Sequence, residues 1–294
     1  MDSFNLFLQF LANGVVNGSG YVLVAVGLTL IFGILGVVNF AHGEFYMLGG
    51  YAAVTAAYFL GWGLLPTFLI VAVALGLFGI LSERIVFRPL AGKDATNAII
   101  ASFGLSVLLQ NGALLVFGAQ PQTLRLDGMA QTAFQIGPVF LTGQRVLIVL
   151  ATLVLVSILM LVLRYTWTGR ALRAMAQHPM VAQISGVHVR RVSVVTFAVG
   201  AALAGIAGGL MSAVFMVQPT SGSMLVLKAF TVVILGGMGS VGGAVTAGLL
   251  LGIIEAMVSG YLGNELRDMI GFFLVIVMLL VRPQGLFGRI TERS

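Results

Sequence analysis

The first 83 residues of this chain contain no Lys or Arg, and Asp2 is the only charge before Glu44. A soluble fold covers itself with charged side chains, yet only 8% of this sequence is charged and 59% is hydrophobic. Lipid is the solvent such a chain is built for, and in lipid every backbone N–H and C=O must be paired within helices or a closed barrel. The alternating ~10-residue segments of a barrel are absent, so the sequence predicts an all-α polytopic membrane protein. Its 39 glycines fit that reading: in water each glycine inside a helix costs about 1 kcal/mol against alanine, whereas membrane helices use glycine to bring backbones close.

Apolar runs long enough for a ~30 Å core lie at 15–37, 45–60, 64–82, 97–118, 145–163 and 192–217. The stretch 229–259 is too long for one span and is broken by Gly236, Gly237, Gly239, Gly242 and Gly243, while 269–281 makes a short last span starting near Leu262. About eight crossings result. The cations gather at Arg84, Arg88 and Lys93, at Arg164, Arg170, Arg173, Arg190 and Arg191, and at Arg282, Arg289 and Arg293, which marks those three regions as cytoplasmic. The gaps holding Arg125 and Asp127, and Glu265, Arg267 and Asp268, carry less charge. Counting back from Arg84 puts the N-terminus outside. Parity between the last two basic regions makes 229–259 enter and leave on one side, as two segments meeting at the tip Gly236–Gly243.

The net charge of +6 is spread over short gaps rather than one folded face, which reads as topology and not as a nucleic-acid surface. With no cysteine, disulfides and thiolate metal sites are excluded, and no basic segment precedes the first apolar run as in a cleaved leader. His178 and His188 stand ten residues apart in a basic loop, and neither H-E-x-x-H nor G-x-S-x-G occurs. No catalytic residue, metal or cofactor is expected. Gly237–Gly242 spells G-x-G-x-x-G, but between membrane segments it lacks the strand-turn-helix setting of a dinucleotide site.

Polar residues inside apolar stretches need a reason, because an unpaired polar group in lipid costs several kcal/mol. Asn39, His42 and Glu44 fall where the first span must end. They form either a solvated cytoplasmic turn or a broken helix whose freed groups line a solute path, with Glu44 favoured near a helix N-terminus. Ser102, Ser106 and Gln110 repeat at i, i+4 and i+8 on one stripe, which suits solute contact and interhelical hydrogen bonding alike. Glu255 is either path-lining or a buried pair, and Lys228 reads as a snorkelling boundary residue. Gly205-x-x-x-Gly209 and Gly248-x-x-x-Gly252 read as close helix contacts.

The segment 168–186 is rich in helix formers, breaks at Pro179 and resumes to Gly186. A short helix with Leu172, Met175 and Ala176 on one side suits the membrane surface or, better, a groove of a soluble cytoplasmic protein. The loop 119–144, with Pro121, Gly137 and Pro138, reads as a structured extracytoplasmic cap.

Three motifs in one order, Asn39–Gly49, Gly169–Ala174 with Gln177 and Pro179, and Leu235–Ser240 with Gly242 and Gly243, resemble the permease subunits of branched-chain amino acid ABC importers. The likeness runs from about residue 20 to 288. It implies one transmembrane permease domain over 1–294 in a bacterial or archaeal cytoplasmic membrane, with a cytoplasmic coupling loop at about 165–191. It also implies a second related permease, two ATP-binding subunits and an extracytoplasmic substrate-binding protein as partners. By the same resemblance, Gly169, Arg170, Leu172, Arg173, Met175, Gln177, Pro179 and Gly186 would be received by an ATPase groove. Asn39, His42, Glu44, Ser102, Gln110, Gly237, Gly239, Ser240 and Glu255 would line the path, the two glycine-rich breaks forming parts of an inverted repeat. Relatives carrying urea and short amides leave the solute open. Alternatives are a secondary transporter with Glu44, His42 or Glu255 as its ion site, and a channel.

Overall fold

The computed structural model describes residues 3–36, 38–61, 64–125, 132–177 and 179–288. Asp127, His178, Arg289 and Arg293, used above as charge or loop markers, lie outside them. The helices run α1 (Ser3–Leu35), α2 (His42–Leu60), α3 (Leu64–Ser82), α4 (Ala95–Phe117), α5 (Gly143–Tyr165), α6 (Trp167–Gln177), α7 (Pro179–Ile184), α8 (Val189–Met211), α9 (Ser221–Gly236), α10 (Val241–Tyr261) and α11 (Asn264–Val281). A π-helical turn (Glu83–Phe87) and a 3-10 turn (Arg88–Leu90) extend α3.

α1 forms the axis of the bundle. It is apolar on every side, the pattern of a helix with no solvent face, and Leu23–Val26 are wholly buried. Its 33 residues reach about 50 Å at 1.5 Å per residue. It therefore starts well before the expected 15–37 span. Gln9 and Asn13, which weaken the early apolar run, are satisfied across the chain: Gln9 Oε1 accepts from Phe140 N at 2.9 Å, its Nε2 donates to Phe140 O at 3.0 Å, and Arg145 Nη1 donates to Asn13 Oδ1 at 2.6 Å.

α10 lies antiparallel along α1, and glycines set the distance. A methyl added at Gly14 would stand 2.6 Å from Ile253 Cα, and one at Gly18 would stand 2.9 Å from Gly248 O. Gly248 and Gly252 thus make the close contact expected of their spacing. On another side of α1 packs α8, with Gly200 against Gly27 and Ile31.

Six helical stretches among the described residues are long and apolar enough to cross a membrane: Ser3–Leu35, Leu65–Leu90, Ala95–Phe117, Gly143–Tyr165, Val189–Met211 and Val241–Tyr261. α9 is shorter, and α11 carries Glu265, Arg267 and Asp268 in its first turns. The stretch 229–259 is divided as the glycines foretold. α9 ends at Gly236, and Ser240 caps α10 by accepting from Gly243 N at 3.1 Å.

The three cation-bearing regions fall at one end of the bundle. Phe87 meets Phe197, ring centroids 4.9 Å apart, in a cluster with Ile31 of α1. α6 and α7 pack on Ile34 and Val192. The segment after α11 returns to the tip, where Leu286 N donates to Leu235 O at 2.8 Å and Phe287 N to Gly236 O at 3.0 Å. At the opposite end, residues 119–144 hold an antiparallel hairpin, β1 (Ala133–Ile136) and β2 (Val139–Thr142), turning at Gly137-Pro138. Gln122 pairs with Val217, which ties the start of this loop to the chain that follows α8.

Candidate functional site

The backbone leaves α1 at Leu35 and comes back along it before α2 begins. His42 Nε2 lies 3.1 Å from Val24 O, a level 11 residues, or about 16 Å, before the end of α1. Asn39, His42 and Glu44 are each 0% exposed, so a solvated turn is ruled out and α2 starts inside the bundle. Asn39 Oδ1 accepts from Ala41 N at 3.0 Å and shapes the entry. Ser102 Oγ accepts from Phe40 N at 3.2 Å, and Ser106 Oγ donates to Glu44 Oε1 at 2.9 Å. The serine stripe of α4 therefore holds the re-entrant segment, while Gln110, further along that stripe, is half-buried.

Two of the sites singled out in the sequence are brought together differently from what their motifs suggest. The segment that meets Asn39–Glu44 is the start of α9, where Gly43 packs directly on the Gly222 carbonyl and the Glu44 carboxylate lies over Gly222. Neither position has room for a Cβ. The glycine tip instead rests on the chain's last described residues: an added methyl at Gly237 would lie 2.5 Å from Gly288 N. Gly237 is buried there, Gly239 is exposed, and Ser240 serves as the cap of α10.

Glu255 is a buried pair, and a larger one than expected. Lys228 Nζ lies 2.9 and 3.0 Å from its two oxygens, Arg267 Nε donates at 3.1 Å and Tyr21 Oη at 2.7 Å. Arg267 Nη2 also donates to Tyr21 Oη at 3.1 Å. Lys228 does not snorkel: its side chain is 22% exposed and bridges Glu255 to Asp268 at 2.8 Å. A carboxylate at 1% exposure needs this many donors, since burying it unpaired costs far more than the attraction returns. Arg267 and Tyr21 escaped the sequence reading because Arg267, in the first turns of α11, reads in the sequence as part of a polar gap, and Tyr21 lies 234 residues from its partner.

Beside this cluster opens a chamber of about 230 Å³ between α1, the start of α2, the end of α8, α9 and α11. Lys228, Arg267 and Tyr21 stand in its wall with Met211, Phe215 and Leu225. A second cavity of about 210 Å³ shares Asn17, Phe215 and Arg267 with it.

At the other end, Gly169 N donates to Thr166 Oγ1 at 3.1 Å and starts α6. Gly169 packs on the backbone of Leu163, and Arg173 caps the Leu163 carbonyl, so α6 is folded tightly onto α5. The side carrying Met175 is not free for a partner: Met175 is 2% exposed, in a cluster with Ala171, Ala182 and Val192 that Ile34 and Leu172 join. What faces outward is Arg170, Arg173 and Gln177 on α6, with Met180, Val181 and Ile184 on α7, the last 82% exposed. Pro179 opens α7 and Gly186 ends the segment at a φ of +85°.

A family model described as "Branched-chain amino acid transport system / permease component" matches residues 10–281. The chain is 36% identical to the high-affinity branched-chain amino acid transport system permease protein LivH of Escherichia coli (strain K12), over 98% of this chain and 97% of that one. It is 35% identical to the corresponding BraD protein of Pseudomonas aeruginosa, over 96% of each chain. Among solved structures, PsaBC from Streptococcus pneumoniae in complex with Fab is similar with a TM-score of 0.49 at 13% identity, over 94% of this chain and 93% of that chain.

Proposed function

This chain belongs to the permease-component family of branched-chain amino acid transport systems, and we propose that it is the membrane permease of an ATP-driven importer for those solutes. In the membrane it works with ATP-binding subunits and a substrate-binding protein, as a multi-pass inner-membrane protein without an ATP site of its own. The composition we propose is two permeases, this chain with a related one, two ATP-binding subunits and one extracytoplasmic binding protein. The N-terminus and the 119–144 cap face outward, and the α6–α7 end is cytoplasmic.

The observation that carries this reading is the mounting of α6 and α7. They pack on the ends of α1 and α8 through Met175, Ala171 and Val192 and on the end of α5 through Gly169 and Arg173, while Met180, Val181 and Ile184 remain exposed. A motor gripping that exposed edge moves the axial helix of the bundle. ATP binding pulls α6–α7, and the spans rock between inward- and outward-open about the crossing of α2 and α9. Glu44 sits at that crossing, next to the start of α9. An ion-coupled carrier using Glu255 is disfavoured by the two cations that hold this carboxylate.

The test is uptake in proteoliposomes. The assembled complex is expected to accumulate leucine only with ATP inside and binding protein outside. Leucine uptake by this chain alone, driven by an H⁺ or Na⁺ gradient, would refute the assignment.

A further inference from the structure

We propose that the chamber between α1, α2, α8, α9 and α11 holds the solute in transit, with its carboxylate on Lys228 and Arg267 and its apolar side chain against Met211, Phe215 and Leu225. The inference rests on the transport function above and adds to it a site within this chain.

Three observations carry it. The first is that the chamber, about 230 Å³, is small and lined by apolar side chains together with two cations, which is the form of a site for a small amphiphilic anion or zwitterion. The second is that Arg267 uses Nε on Glu255 and Nη2 on Tyr21, so among the described residues its Nη1 carries no hydrogen bond. A guanidinium fixed on one edge presents the remaining donors to a carboxylate.

The third is the unequal burial of the two carboxylates on Lys228. Glu255 is 1% exposed and Asp268 is 71% exposed. Glu255 holds the ammonium in place. Asp268 rests on the same ammonium from the water side, at 2.8 Å, and an exposed ion pair of this kind contributes little. A solute carboxylate can therefore replace Asp268 on Lys228, charge for charge, and Asp268 replaces it again when the solute leaves. Asn17, Tyr21 and Gln218 in the same wall supply acceptor oxygens for the solute's ammonium group.

The experiment uses the full reconstituted importer with a diazirine-bearing leucine analogue, photolysed during turnover and mapped by peptide mass spectrometry. Label is expected on Met211, Phe215, Met216 or Met224, and excess leucine should remove it. Met224→Trp adds bulk to the chamber wall and should lower leucine uptake at least tenfold with the complex still assembled. Asp268→Asn removes the competing carboxylate and should raise labelling at least threefold below saturation. Intact wild-type leucine uptake with label confined elsewhere, or with labelling unchanged in Asp268→Asn, overturns the chamber alone. No leucine uptake by the wild type overturns the function beneath it.

Discussion

Ser106 Oγ donates to Glu44 Oε1 at 2.9 Å, a hydrogen bond that ties the fourth helix to the first turn of the second. It joins two of the residues that the sequence marked separately, one as a stripe on a span and one as a charge at a break. Glu44 is otherwise without a hydrogen bond at its second oxygen among the described residues, so the serine is its anchor. Ser106→Ala is expected to destabilise the purified protein by about 1–3 kcal/mol, the cost of leaving a buried acceptor unpaired. The check is the melting temperature in detergent, with Ser157→Ala, on the exposed side of α5, staying at the wild-type value.

The Glu255 cluster predicts an order of damage. Glu255→Leu leaves both Lys228 and Arg267 without their buried anion, and should cost about 3–5 kcal/mol. Lys228→Met should cost less, because Glu255 keeps Arg267 and Tyr21. Equal melting temperatures for the two variants would contradict the arrangement.

Gly43 and Gly222 touch backbone to backbone, and overpacking there has no flexible side chain to absorb it. Gly43→Ala should cost at least 1–3 kcal/mol and reduce leucine uptake in proportion. Gly104→Ala and Gly112→Ala, where an added methyl meets nothing within 4 Å, should leave both thermal stability and uptake at wild-type values.

On the α6–α7 edge, stability and coupling should separate. Ile184→Glu and Met180→Glu alter exposed side chains and should abolish co-purification of the ATP-binding subunits while the permease stays folded. Met175→Glu places a charge in the cluster beneath α6 and should lower the melting temperature itself. Arg170→Glu with Arg173→Glu should leave ATP hydrolysis running without transport. Wild-type coupling in all of these variants would show that the motor grips elsewhere.

The absence of cysteine gives a clean background for topology. Leu262→Cys, in the link between α10 and α11, should react with an impermeant maleimide added outside. Ser185→Cys, after α7, should react only once the membrane is opened. Labelling of position 262 solely from the cytoplasmic face would reverse the orientation proposed here.

The membrane class, the helices and the break of 229–259 at its glycines were legible in the sequence, because hydropathy and glycine placement act locally: a run of ~20 apolar residues has few other ways to satisfy its backbone. The gathering of Arg84, Arg164 and Arg282 at one end was legible for the same kind of reason, since it follows from counting helices. Which polar residues meet was not. Glu255 and Tyr21 are 234 residues apart, and Glu44 and Ser106 are 62 apart, so only packing of α1 against α10 and of α2 against α4 joins them. Packing likewise turned Met175 of α6 inward and left Ile184 of α7 outside, because the starts and ends of the neighbouring helices cover the apolar edge of α6 and only Ala182 of α7. The sequence by itself determined a charge-poor, glycine-rich helical membrane bundle. Tertiary structure decided that Lys228 is held by a buried carboxylate instead of reaching for water, since a charge in a low-dielectric interior persists only where its partners are brought to it.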